Sequence, residues 1–222
     1  MQSVFFVAIM FLVALAWPST AQAPSSPIPI SSSSYAFSRG ALSSATTVDL
    51  WIDLGCSDCL NDWPLLSQVY DKYSDDVRFN YHLFPLPYHQ FAFLLAKSAN
   101  CVALHGSPGD VFNFFDTVYT TSNQALIYNS ATANMTYNEV MTTTVSKFVT
   151  DSSDSLSATD FLDFMASDYD CEQNTRYQFK NAALSSIYGT PMCTVNGVTI
   201  TDGLSTIEDW TTFLDGLVFS PL

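Results

Sequence analysis

At 222 residues, 48% hydrophobic and 14% aromatic, the chain is globular and long enough to bury one sizeable core. Seven basic against 21 acidic side chains give a formal net charge of −14. A surface of that sign repels phosphate backbones and anionic lipids, which disfavours nucleic-acid and membrane-surface partners and favours solubility.

The first element is "VFFVAIMFLVALAW" (Val4 to Trp17), an apolar run of signal-peptide length followed by Pro18 and the small residues "STAQA". Residues 1–21 read as a cleaved signal, with a second acceptable cut after Ala23; the run is short for a spanning anchor. A secreted or endomembrane-lumen location follows, with no ER-retention signal in "VFSPL" and no membrane contact after cleavage. Residues 22–42 form a Pro/Ser-rich leader, with a short edge strand expected near Ile28 to Ile30.

Strand periodicity begins at "TTVDLWIDL" (Thr46 to Leu54), where Val48, Leu50, Ile52 and Leu54 share a face. The spacing then turns helical through Leu60, Trp63, Leu66, Val69 and Tyr73, with a kink expected at Pro64. "VRFNYHLF" (Val77 to Phe84) is a second strand, stopped by Pro85 and Pro87. Helical spacing follows over 88–105, 110–120, 136–150 and 158–167, with "SSDS" (152–155) as a loop tip. A helix over roughly 171–188 is expected to stop at Gly189. "PMCTVNGVTI" (Pro191 to Ile200) reads as a hairpin about Asn196-Gly197. A closing helix over 205–217 takes Ser205 as N-cap and Glu208 as its capping-box partner.

Chemistry concentrates at "CSDC". A structural staple between Cys56 and Cys59 closes a tiny loop worth roughly 2 kcal/mol, little reason to place it there. A zinc set of Cys56, Cys59, Cys101 and His105 needs loop and helix to converge without a second close-spaced knuckle, and no metal is expected. A redox pair fits the position best: the strand-to-helix junction places Cys56 at a helix N-terminus, where free amides favour thiolate, and Cys59 one turn inside. His82, His89 and His105 read as ordinary satisfied histidines. The run Asp110 to Tyr119 reads as helix core before peptide groove, and Asn134-Met135-Thr136 as a glycosylation sequon.

Three stretches resemble the thioredoxin superfamily, specifically its DsbA-like branch with a helical insertion. They are "WIDLGCSDC" with Pro64, "VRFNYHLFPLPYHQFAFLLAKSANCVALHG", and "SSIYGTPMCTVNGVTI". The resemblance implies an α/β thioredoxin-like fold, a mixed sheet flanked by helices. Residues 43–87 would be its first half, 88–170 an inserted α-helical subdomain, and 171–219 the second half. It implies a thiol–disulfide oxidoreductase with Cys56 as nucleophile, Cys59 as resolver, Pro191 as the cis-proline and Thr190 offering its backbone to an extended peptide. Its cofactor would be its own Cys56–Cys59 disulfide. Its partners would be cysteine-containing polypeptides and a redox recycling partner. A redox-quiet binding or chaperone-like module is the alternative, because fold does not fix function.

Two departures from that branch bear on redox tuning. The buried acid six residues before the first cysteine is Leu50 here, with Asp49 and Asp53 nearby; and Ser57-Asp58 replaces the usual Pro-His. The Asp58 carboxylate is expected to oppose the Cys56 anion and leave it only modestly acidified. Cys101, Cys171 and Cys193 remain: an odd number, so at least one thiol is unbridged within the chain, and the pairing is open.

Overall fold

The computed structural model describes residues 26–30 and 35–219; the expected signal segment lies outside them. Five strands form one sheet: β1 (Phe37–Gly40), β2 (Thr47–Ile52), β3 (Arg78–Leu83), β4 (Met192–Val195) and β5 (Val198–Ile200), in the order β1-β3-β2-β4-β5. β2 and β3 pair in parallel from Thr47–Arg78 to Ile52–Leu83; the other three ladders are antiparallel. The parallel pair requires a crossover, and helix α1 (Ser57–Tyr73) supplies it. α1 runs through Pro64 without ending, burying Cys59, Trp63, Leu66, Val69 and Tyr73.

Helices fill the interval between β3 and β4: α2 (Ala92–His105), α3 (Asp110–Val118), α4 (Thr121–Ile127), α5 (Asn129–Thr132), α6 (Tyr137–Val140), a π-helical turn (Met141–Val145), α7 (Ser146–Ser152), α8 (Ala158–Ser167) and α9 (Tyr169–Leu184). α10 (Ile207–Val218) closes the chain. This is a mixed sheet with a helical insertion, as the three sequence stretches imply. Val48, Leu50 and Ile52 join the main core, which continues into the insertion through Phe114, Phe115 and Phe148. On the opposite face, Trp51 packs with Phe84, Leu86, Ala182 and Ile187, so β2 is buried on both sides. The run Asp110 to Tyr119 is core: Val111, Phe114, Phe115 and Val118 are buried.

Local chemistry corrects several expectations. Ile28 to Ile30 is not a strand; Pro27 and Pro29 have no amide to donate, and the edge is instead β1. The helix expected over 136–150 is present over 137–152 but carries a π turn at its Thr run, beside which the Thr142 and Thr143 hydroxyls donate back to the carbonyls of Asn138 and Glu139, both at 2.7 Å. α9 ends at Leu184, short of Gly189, and Ser186 turns the chain with φ 60°. The last helix is capped one residue later than Ser205 and Glu208. Asp209 accepts from Ser205 N, Thr206 N and the Thr206 hydroxyl, satisfying three donors at once, so Thr206 and Asp209 form the box. The hairpin turn is as read: Asn196 and Gly197 hold φ 50° and 79°, the left-handed pair of a type I′ turn.

Candidate active site

β2 delivers the chain to the end of the sheet at Ile52, and Asp53 to Gly55 lead straight to Cys56, the N-cap of α1. The Cys56 amide donates to Asp53 O at 3.0 Å, closing this turn. Far along the chain, Tyr188 to Pro191 bring the entry to β4 to the same place. The Thr190–Pro191 bond is cis, and the Cys56 thiol donates to the Thr190 carbonyl at 3.4 Å across 134 positions of sequence. The structure therefore brings together Cys56, Cys59, Thr190 and Pro191. Ser57 and Asp58 are both exposed on the first turn of α1.

The two sulfurs are electrostatically unlike. Cys56 and Cys59 are free thiols. Cys56 is lowered to about 6, first by the Cys59 thiol hydrogen-bonding to it, then, against the cost of burial, by the Thr190 side chain and the amides of Cys59 and Asp58. Cys59 is held well above the ordinary thiol range by burial and by the neighbouring Cys56. The expected modest acidification is corrected here: Asp58, exposed on α1, acts on Cys56 through its backbone amide, which lowers it. The buried Thr190 hydroxyl, which has no nitrogen or oxygen partner, lies toward both sulfurs.

Other side chains at the site come from segments not singled out for catalysis. The Asp53 carboxylate, 1% exposed, accepts from Gly55 N at 2.8 Å, Leu86 N at 2.9 Å and His89 Nδ1 at 2.7 Å. Tyr119 at the end of α3 donates its hydroxyl to Asp53 O at 2.9 Å and also meets Cys59. Gln124 of α4 donates to Leu54 O at 2.6 Å, and Trp63 of α1 donates to Asp116 at 2.8 Å. These bonds fasten the insertion to the turn that carries Cys56. A buried acid inside "WIDLG" was the available signal for Asp53, since an unpaired carboxylate is too costly to bury. No comparable signal marks Tyr119 or Gln124.

The other histidines are structural. His82 Nε2 meets Asp49 at 2.8 Å and the ring stacks on Trp51; His105 Nε2 meets Asp168 at 2.7 Å and stacks on Phe164. Cys101 of α2 is bridged to Cys171 of α9, which settles the open pairing and takes Cys101 out of the zinc set weighed above. Cys193, paired with Leu50 across β2 and β4, is the odd free thiol; burial, then Asp49, pushes it up to about 12. It lines a cleft of about 420 Å³ with Thr190, Pro191, Tyr188 and Trp210. Leu50, noted above as a departure from the resembled branch, lines the same cleft.

The family model described as thioredoxin matches residues 32–216. The chain belongs to the thioredoxin family. Solved structures share its fold at low identity. BdbD from Bacillus subtilis superposes with a TM-score of 0.65 at 12% identity, covering 84% of this chain and 94% of that one. Chlamydia trachomatis DsbA gives 0.63 at 13%, covering 88% and 96%. MdbA from Actinomyces oris, described as a thiol-disulfide oxidoreductase, gives 0.62 at 16%, covering 85% and 87%. No curated protein matches the sequence.

Proposed function

We propose that this thioredoxin-family chain is a secreted or luminal protein thiol–disulfide oxidoreductase acting through Cys56 and Cys59. One observation carries the reading: an acidified sulfur at a helix N-terminus lies 3.4 Å from the Thr190 carbonyl beside a buried, protonated partner thiol. The Cys56 thiolate attacks one sulfur of a substrate disulfide, forming a mixed disulfide and expelling the other substrate sulfur as thiolate. Cys59 gives up its proton and attacks Cys56 Sγ, so the second substrate sulfur leaves and the Cys56–Cys59 disulfide remains. Two electrons pass to the substrate; the same steps reversed oxidise a substrate dithiol. The centre needs no cofactor beyond its own disulfide. Thr190 and Pro191 border the cleft in which an extended cysteine-containing polypeptide would lie against the backbone. A separate redox partner would reset the centre after each turnover. The proteins of similar fold described as oxidoreductases support the assignment.

An oxidising compartment is supported by the buried Cys101–Cys171 bridge together with the signal-like first segment. In such a compartment Asn134, in an exposed turn ahead of α6, accepts a glycan. Expression through a secretory pathway should give a band that glycosidase shifts down, and Asn134→Gln should remove the shift; no shift in the wild type would strike out this site.

The activity is tested by the reduction of insulin by dithiothreitol with catalytic amounts of protein. Wild type should accelerate it, and Cys56→Ser should fall to the uncatalysed rate. Equal rates would favour the redox-quiet binding module of the same fold.

A further inference from the structure

The dipeptide between the cysteines carries no cation, and the groups that lower Cys56, the Cys59 thiol, Thr190 and two backbone amides, are all neutral. A cation is available from outside the motif. Asp53 lies three residues before Cys56 and is fully enclosed, and of its three donors only His89 is titratable. Burying that carboxylate against two amides alone would leave it short of a counter-charge, whereas an imidazolium satisfies it. His89 is fixed in place: a Cβ added at Gly55 would stand 3.3 Å from His89 Cβ, so the histidine packs against the residue adjoining Cys56. Gly55 and Ser57, the two sequence neighbours of Cys56, line a common cleft of about 300 Å³ with His89.

We propose that His89, held by Asp53, is a positioning residue of the redox centre, placing beside Cys56 the positive charge that Ser57 and Asp58 do not supply. The inference rests on the proposed oxidoreductase reading and deepens it. His89 is raised, first by the hydrogen bond to Asp53 and, beyond the opposing cost of burial, by the charges of Asp53, Cys56 and Asp58. Tyr88 packs on the ring at 4.8 Å. Tyr128 borders the shared cleft, and Arg176 and Lys180 of α9 border a second cleft lined by His89. Those two cations oppose a charge on His89; the hydrogen-bonded Asp53 at 2.7 Å outweighs them by proximity. A charge on His89 favours the Cys56 thiolate, hence the dithiol form, and makes the disulfide the stronger oxidant.

Reciprocity supplies the test, because two linked sites shift each other equally. Thiolate absorbance followed against pH should give a Cys56 midpoint near 6 in the wild type. His89→Asn keeps a donor for Asp53 and removes the charge. It should raise that midpoint by about one unit and, at a pH where the wild-type His89 is still charged, move the equilibrium against glutathione toward the disulfide. Asp58→Asn should move it far less. Independently of any His89 variant, the His89 ring followed by NMR should titrate about one unit lower in Cys56→Ser than in the reduced wild type. Identical His89 midpoints in those two proteins, or an unmoved Cys56 midpoint in folded His89→Asn, overturn the proposal. Neither titration needs turnover. Linked titrations in a protein inactive on insulin would keep the pair and lose the activity; unlinked titrations in an active protein would lose the pair alone.

Discussion

Cys59→Ser should convert the protein into a covalent trap. Cys56 is anionic at neutral pH, so the variant still attacks a substrate disulfide, but nothing follows to displace the bound half. Release then depends on an outside thiol and should slow by roughly 10³-fold, since the intramolecular attack enjoys a large effective concentration. The order of events is built into the pair. While Cys56 is a free thiol, burial and two effects of Cys56, its hydrogen bond and its charge, hold Cys59 protonated. Forming the mixed disulfide removes both effects of Cys56 and leaves burial alone, so Cys59 becomes easier to ionise once it is needed. Incubation with a peptide disulfide, followed by non-reducing electrophoresis and mass spectrometry, should show a one-to-one adduct for Cys59→Ser and none for Cys56→Ser. An adduct on Cys56→Ser, or none on Cys59→Ser, would reverse or remove the assigned roles.

How much of this was legible depended on the distance over which the information acts. The redox pair reads directly from "WIDLGCSDC", because a strand pattern, a helical pattern and the two cysteines lie within a few residues. The β4–β5 hairpin reads from Asn196-Gly197 for the same reason: both positions need φ above zero, and the structure gives 50° and 79°. The cap of α10 slipped by one residue because two overlapping frames, Ser205 with Glu208 and Thr206 with Asp209, are chemically alike; only the count of donors around Asp209 separates them. Asp58 is a case of the right residue through the wrong atom, since a side chain's direction on a first helical turn is not set by spacing. His89 and Tyr119 were out of reach for a different reason. Their importance arises only when the insertion folds back on the turn before Cys56, and nothing local to either residue records that encounter. Asp53 was readable in principle, as a carboxylate in an apolar run.

The largest stability effect should come from the bridge that composition could not assign. Cys101 and Cys171 are both fully buried, on α2 and α9, and the bond closes a loop spanning 70 positions. Loop-closure entropy for that span is worth about 4 kcal/mol, so Cys101→Ala/Cys171→Ala should melt roughly 8–16 °C lower by calorimetry for a domain of this size. The contacts beside the bridge set how far the loss is softened. Asn100 donates to Thr175 at 3.0 Å and Gln178 at 2.9 Å; His105 meets Asp168, and Lys97 reaches Glu172 at 3.7 Å. Those bonds keep the helices in register without covalent help, so the variant should fold and keep its Cys56 midpoint near 6. The active turn should be insulated from the change, because it is tied to the insertion through Tyr119, which caps the end of α3, and Gln124 of α4. A melting point within about 2 °C of wild type would mean that packing between α2 and α9 already restricts the unfolded chain as the bond does. A Cys56 midpoint that moved with the melting point would instead show that the bridge and the redox centre form one cooperative unit.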